Sequence, residues 1–187
     1  MQVEPQIKSR PTYPKVELRP HVQQHLFVST AEGFPVIRPL YEAAPEAERM
    51  LYLFDSEGEG EPVDADSHRL AELATVLNGA FSKLPLASAL YVAGHEAFLW
   101  DVRNLALGAG MADEQIQLCA PVSNRRRLFC THCYTLMEDV THSPHVCTGC
   151  GRELLVRDHF SKLRGAYVGV QINAEDTSEQ PAVEELS

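Results

Sequence analysis

Two hooks of the form Cys-x-x-Cys constrain this chain more than any other feature. Cys130-Thr131-His132-Cys133 and Cys147-Thr148-Gly149-Cys150 stand thirteen residues apart. Each hook curls so that its two thiolates face one point, while N–H groups of the turn steady the negative sulfurs. Gly151, directly after the second hook, permits the positive φ that such a knuckle often needs. Four thiolates fill a tetrahedral sphere and leave no open position, which marks a structural zinc site rather than a catalytic one. A module of ~45 residues has a thin core of its own and needs such a staple. Iron held by the same four sulfurs, making the chain a rubredoxin-like electron carrier or reductase component, is the alternative. Tyr134 follows the first hook where iron carriers typically have glycine, which favours zinc. His132, His142 and His145 lie close in sequence to the hooks, but the sphere is already full. They are expected at the surface or around the ligands, not on the metal.

The fifth cysteine, Cys119, stands apart and reads as a small buried residue at a strand end. Free thiols at zinc-hook spacing, no stretch of ~20 apolar residues and no signal-like N-terminus together predict a cytoplasmic protein without a membrane span. The net charge of −10 is uneven: residues 1–120 hold 9 basic and 17 acidic side chains, residues 121–171 hold 7 and 4, and the rest hold five acids. An acidic body argues against bulk nucleic-acid binding, which needs a sizeable cationic face. A nucleic-acid-binding zinc ribbon, the least favoured reading, would use Arg125, Arg126, Arg127, Arg152, Arg157, Lys162 and Arg164.

Patterning divides the rest. Residues 1–24 carry Pro5, Pro11, Pro14 and Pro20 and predict an extended arm. Over 25–120, apolar strand runs at 25–29, 50–54, 89–93 and 115–119 alternate with helical periodicity. The helices open at Pro35, behind a Ser67 cap, and after Gly94. Asp55 to Asp66 reads as an acidic Gly/Pro loop. The alternation predicts an α/β body with a parallel, Rossmann-like sheet. Residues 124–171 form the four-cysteine module, of zinc-ribbon or rubredoxin-like type. The acidic segment 172–187 is expected to be disordered or loosely docked.

The body resembles the NAD(P)-binding half of the ferredoxin reductase family. His25 to Pro35 stands where that family has a strand, a glycine-rich phosphate turn and a helix opening with proline. Leu90 to Phe98 matches a second signature, in which a strand ends in Cys-Gly-Pro. The departures are specific. Ser29, Thr30, Ala31 and Glu32 replace the glycines that let backbone approach a pyrophosphate, leaving Gly33, and Glu32 adds a negative charge to an anion cradle. Ala93-Gly94-His95 replaces Cys-Gly-Pro. The degenerate loop of Ser29, Thr30, Glu32, Gly33 and Gly94 therefore predicts no bound cofactor and no catalytic residue in this chain.

The run from Gly149 to Ser161, continuing through Leu163, Ala166, Tyr167 and Gly169, resembles the small, DmmA-like accessory subunits of bacterial dimethylamine monooxygenase. Ile7-Lys8-Ser9-Arg10-Pro11 looks like the start of that family. The resemblance implies a multi-subunit, haem-dependent complex that demethylates dimethylamine to methylamine and formaldehyde with NADPH and O2. Haem, FMN and iron–sulfur groups are then expected in partner subunits only, a haem subunit and a flavin/iron–sulfur reductase subunit. Arg157, Asp158 and His159 read either as surface residues after a strand or as a partner-contact patch.

Overall fold

The computed structural model describes residues 9–55, 66–173 and 181–187. Residues 1–8, most of the acidic loop expected between Asp55 and Asp66, and 174–180 of the expected tail lie outside the described residues. The chain packs as two compact units, one of Tyr13–Ser123 and one of Asn124–Ser187 with the N-terminal residues up to Thr12. The division passes through the expected arm, whose last half belongs to the body. Among the described residues no helix is long and apolar enough to cross a membrane.

The first unit is a mixed α/β layer structure. Its elements are β1 (Gln24–Thr30), α1 (Phe34–Ala43), β2 (Arg49–Asp55), β3 (Asp66–Arg69), α2 (Leu73–Phe81), β4 (Ser88–Ala93), α3 (Glu96–Gly108) and β5 (Ile116–Leu118). The five strands form one sheet in the order β3-β2-β1-β4-β5, with every pairing parallel. β1 and β4 are central and buried almost throughout, which is why they read as unbroken apolar runs rather than alternating ones. Phe27 and Tyr91 stack at 4.7 Å between centroids and pack with Ile37 of α1 on one face. Phe54 meets Phe98 of α3 on the other.

β3 is a correction to the sequence reading. Ser67, expected to cap a helix, instead pairs with Leu53, and α2 begins only at Leu73. The segment Asp-Ser-His-Arg lacks apolar patterning because an edge strand is recruited by backbone pairing on one side. At the opposite edge the arm protects β5. Glu17 donates its N–H to Gln117 Oε1 at 3.1 Å, and Gln117 Nε2 returns a bond to Glu17 O at 2.8 Å. Arg19 N–H donates to the Tyr91 hydroxyl at 2.9 Å, and Tyr13 OH donates to the buried Glu96 carboxylate at 2.6 Å.

The second unit is all β: β6 (Arg126–Cys130), β7 (Leu136–Val140), β8 (His142–Ser143), β9 (His145–Val146), β10 (Glu153–Ser161), β11 (Ala166–Gln171) and β12 (Glu184–Glu185). Five of these form a sheet in the order β7-β6-β11-β10-β9, in which only β6 and β11 run parallel. Leu128, Met137, Val140, Leu154, Phe160 and Tyr167 fill its small core. The end of the acidic segment is not loose. Glu184–Glu185 pairs antiparallel with His142–Ser143, and Leu186 N–H donates to Thr141 O at 2.8 Å.

Candidate metal centre

Each hook sits in the turn of a hairpin. Cys130 ends β6 and Cys133 lies in the turn to β7; Cys147 follows β9 and Cys150 precedes β10. The two turns are built alike. Tyr134 N–H donates to Cys130 O and Gly151 N–H to Cys147 O, both at 2.9 Å. Cys130 N–H donates to Thr135 O at 2.9 Å and Cys147 N–H to Arg152 O at 2.8 Å. The strands β6 and β10 both pair with β11, and this brings the hooks together from opposite ends of the module.

The four Sγ atoms lie within 4.8 Å of one another. Cys133 and Cys147 are 3.5 Å apart, and Cys130 and Cys150 are 3.9 Å apart. Thiolates at ~2.3 Å from one tetrahedral ion stand ~3.8 Å from each other, so the sulfurs present fit such an ion with little adjustment. Cys130 and Cys147 are fully buried, while Cys133 and Cys150 are half-buried. Among the described residues these four are the group of three or more His, Cys, Asp or Glu whose donor atoms already lie together, and no histidine belongs to it.

The sulfurs differ in their readiness to ionise. The side-chain and backbone hydrogen bonds of Thr135 bring the Cys133 thiol down to about 6. The Arg152 backbone favours the Cys150 thiolate, but burial and the three neighbouring sulfurs push that thiol up to about 11. A bound cation is what allows all four to be thiolates together. Thr135 escapes a sequence reading because no spacing rule marks a residue two places past a hook; its hydroxyl lies 3.2 Å from Cys133 Sγ. Gly149 has a definite reason: a Cβ there would overlap Thr135 Oγ1 and sit 3.2 Å from Cys133 Sγ. Gly151, at φ 72°, adopts the left-handed conformation its position demands.

Asp158 and His159 lie where the β10 ladder shifts register, between Arg157 and Phe160. Ser9 fills the irregularity: its N–H donates to Asp158 O at 3.0 Å and its Oγ accepts from Phe160 N–H at 3.1 Å. Arg10 and Arg126 reach the Asp158 carboxylate at 2.7 and 3.4 Å. Burial would raise this carboxyl, yet the two guanidinium groups hold it below the usual range. The neighbouring arginines are similarly engaged, Arg125 with Asp139 at 3.5 Å and Arg127 with Glu138 at 2.6 Å. Cations already paired within the module present less net charge to a phosphate backbone.

In the α/β unit the degenerate loop lies at the carboxyl end of the sheet, where β1 and β4 diverge. Its polar groups are spent on the protein itself. The Ser29 hydroxyl lies 2.8 and 3.0 Å from the carbonyls of Thr30 and Ala93. Gly33 N–H donates to Thr30 Oγ1 and O, both at 3.1 Å, and Ala31 N–H to Phe54 O at 3.3 Å. Gly33 rests directly on the end of β4, because a Cβ there would come 2.5 Å from Ala93 backbone atoms. Glu32 Oε2 lies 2.9 Å from His95 Nε2, whose Nδ1 lies 2.9 Å from Ser123 Oγ. The Gly33 and Ala31 N–H groups of this turn are thus bonded within the chain, and the Glu32 carboxylate lies beside His95.

Comparison with known proteins matches both parts of the chain. Residues 5–116 match the family model for the N-terminal domain of the DmmA-like subunit of dimethylamine monooxygenase, and residues 127–170 match the model for its C-terminal domain. The chain is 30% identical over 167 residues to a protein of Ectopseudomonas mendocina (strain ymp) named the delta subunit of haem-dependent oxidative N-demethylase. That alignment covers 89% of this chain and 90% of the relative.

Proposed function

The chain belongs to the DmmA-like family of dimethylamine monooxygenase subunits, and on that premise we propose that it is a metal-stapled accessory subunit of a haem-dependent oxidative N-demethylase. The complex oxidises dimethylamine to methylamine and formaldehyde with NADPH and O2. Partner subunits carry the haem and the flavin and iron–sulfur groups, and this chain helps assemble or dock them.

One observation carries the accessory reading: at the carboxyl end of the parallel sheet the polar groups of the β1–α1 turn bond to the chain itself. The strand order 3-2-1-4-5 is that of a doubly wound dinucleotide-binding sheet and supports reading the unit as Rossmann-like. The Glu32–His95 contact at 2.9 Å and the internally bonded Gly33 N–H of the β1–α1 turn fit a scaffold that has given up its nucleotide. We read the four cysteines as a structural zinc site. Four sulfurs leave no open position, and the ion would tie together two hairpins whose shared core is small. It supplies folding energy there rather than chemistry on a substrate.

Purification of a tagged chain from its native host tests the proposal. Haem and flavoprotein subunits should co-purify in fixed ratio, and removal of this chain should lower the yield of assembled demethylase. A stable lone chain, with the demethylase assembled and fully active without it, would overturn the reading. Elemental analysis and the visible spectrum separate zinc from iron, since iron held by four thiolates is coloured and zinc is not.

A further inference from the structure

The four cysteines satisfy one ion without any histidine, yet the fold turns two histidines of the same module towards each other. β8 and β9 are two-residue strands joined through Pro144. His142 Nε2 lies 3.4 Å from His145 Nδ1, with ring centroids 4.9 Å apart. That separation is long for an N–H···N hydrogen bond. It matches another arrangement: two imidazole nitrogens at ~2.05 Å from one tetrahedral cation stand ~3.3 Å apart. Both residues are half-buried, so their rings are held by packing while solvent still reaches them.

A carboxylate residue stands across the ladder, within reach of the two rings although its oxygens are not grouped with them here. His142 pairs directly with Glu185 of β12 in antiparallel register. Directly opposed residues project to the same face of a sheet, with Cβ atoms about 5 Å apart. Glu185 is exposed, so its carboxylate can turn towards the imidazole pair without breaking into a core.

We propose that His142, His145 and Glu185 form a second, open site for a divalent cation of the zinc class. Imidazole nitrogen and carboxylate oxygen suit zinc, and three protein ligands leave one position for water or an incoming donor. The cysteine site is closed and thiolate-only, so the two sites differ in exchange behaviour. The inference stands on the geometry of this module and holds or fails independently of the demethylase assignment.

Equilibrium dialysis of the whole chain against buffered free Zn²⁺, with total metal read by elemental analysis, tests it. The native chain should take up one ion beyond that held by the cysteines, and a mild chelator should remove that ion first. His142→Ala and His145→Ala should each lose the second ion and keep the first, and Glu185→Gln should weaken it about tenfold. Saturation of the native chain with a single ion, or persistence of the second in both histidine variants, overturns the proposal. If either variant loses the fold of the module, paramagnetic Ni²⁺ added to the native chain decides. The ring-proton signals of His142 and His145 should broaden before those of His132 and His159, and equal broadening overturns the proposal.

Discussion

Tyr134 and Gly151 occupy the same place in the two hooks, one residue past the second cysteine, and both are left-handed, with φ of 64° and 72°. Each donates its N–H to the first cysteine of its own hook. The turn therefore dictates the conformation, whichever residue stands there.

For an L-residue that conformation costs about 1–2 kcal/mol, and glycine avoids the cost. Gly151→Ala should lower the unfolding free energy of the metal-loaded chain by about 1 kcal/mol. Tyr134→Gly relieves the strain but loses the stack on Phe129, at 5.8 Å and 27°. Such a stack contributes about 0.5–1.5 kcal/mol, so the net change should stay within ~1 kcal/mol. Denaturant unfolding measures both; an unaffected Gly151→Ala variant would show that the second turn does not need its left-handed residue.

Cys147→Ser removes one of the four sulfurs from a fully buried position. Metal binding to such a site is coupled to folding free energy of about 10 kcal/mol or more, and the variant should forfeit much of it. Residues 124–171 should become sensitive to protease and the chain should lose its metal. Undiminished resistance would refute a structural role for the site.

Chelation should change which thiols react. Cys119 is 5% exposed and burial pushes its thiol up to about 11, so it should resist iodoacetamide at pH 8 with or without metal. The four hook cysteines should be protected until a strong chelator is added and should then be alkylated, as read by peptide mass spectrometry. Early labelling of Cys119 would contradict its place in the core.

His25 predicts an acid-sensitive body. It is 4% exposed beside the Tyr91 hydroxyl at 3.0 Å, and burial lowers its pKa although the Glu48 charge pulls the other way. The unfolded chain accepts the proton near pH 6.5, whereas the native chain refuses it until a lower pH. Unfolding is thus favoured by protonation, and stability should fall as pH drops below about 6.5 while this histidine adds no pH dependence above it. His25→Gln should flatten that part of the profile; an unchanged slope would assign it to other groups.

The proposed accessory role predicts indifference to NADPH. A ligand at a hundred times its dissociation constant stabilises by about 2.7 kcal/mol and raises the melting temperature measurably. The isolated chain should show no rise in millimolar NADPH. A clear rise would mean that the Glu32–His95 bridge opens to admit a nucleotide.

Much of this molecule is legible in its sequence because the signals are local. A Cys-x-x-Cys hook brings its own two sulfurs together, and the apolar runs of β1 and β4 announce buried parallel strands by composition. The alternation of strand and helix is enough to predict the parallel sheet. β3 is not legible, because an edge strand needs backbone partners more than apolar side chains. The end of the acidic segment reads as loose because Glu184 and Glu185 enter a ladder through their backbone, which their charge does not reveal.

What the sequence determined by itself was the set of four cysteines and the order of the elements of the body apart from β3. Tertiary structure alone decided that both hooks face one point, that Ser9 and Arg10 close an irregular strand some 150 residues away, and that Glu32 meets His95 at the carboxyl end of the parallel sheet. The reason is physical: bond geometry couples residues a few places apart, whereas distant groups meet only where chain topology and packing bring them.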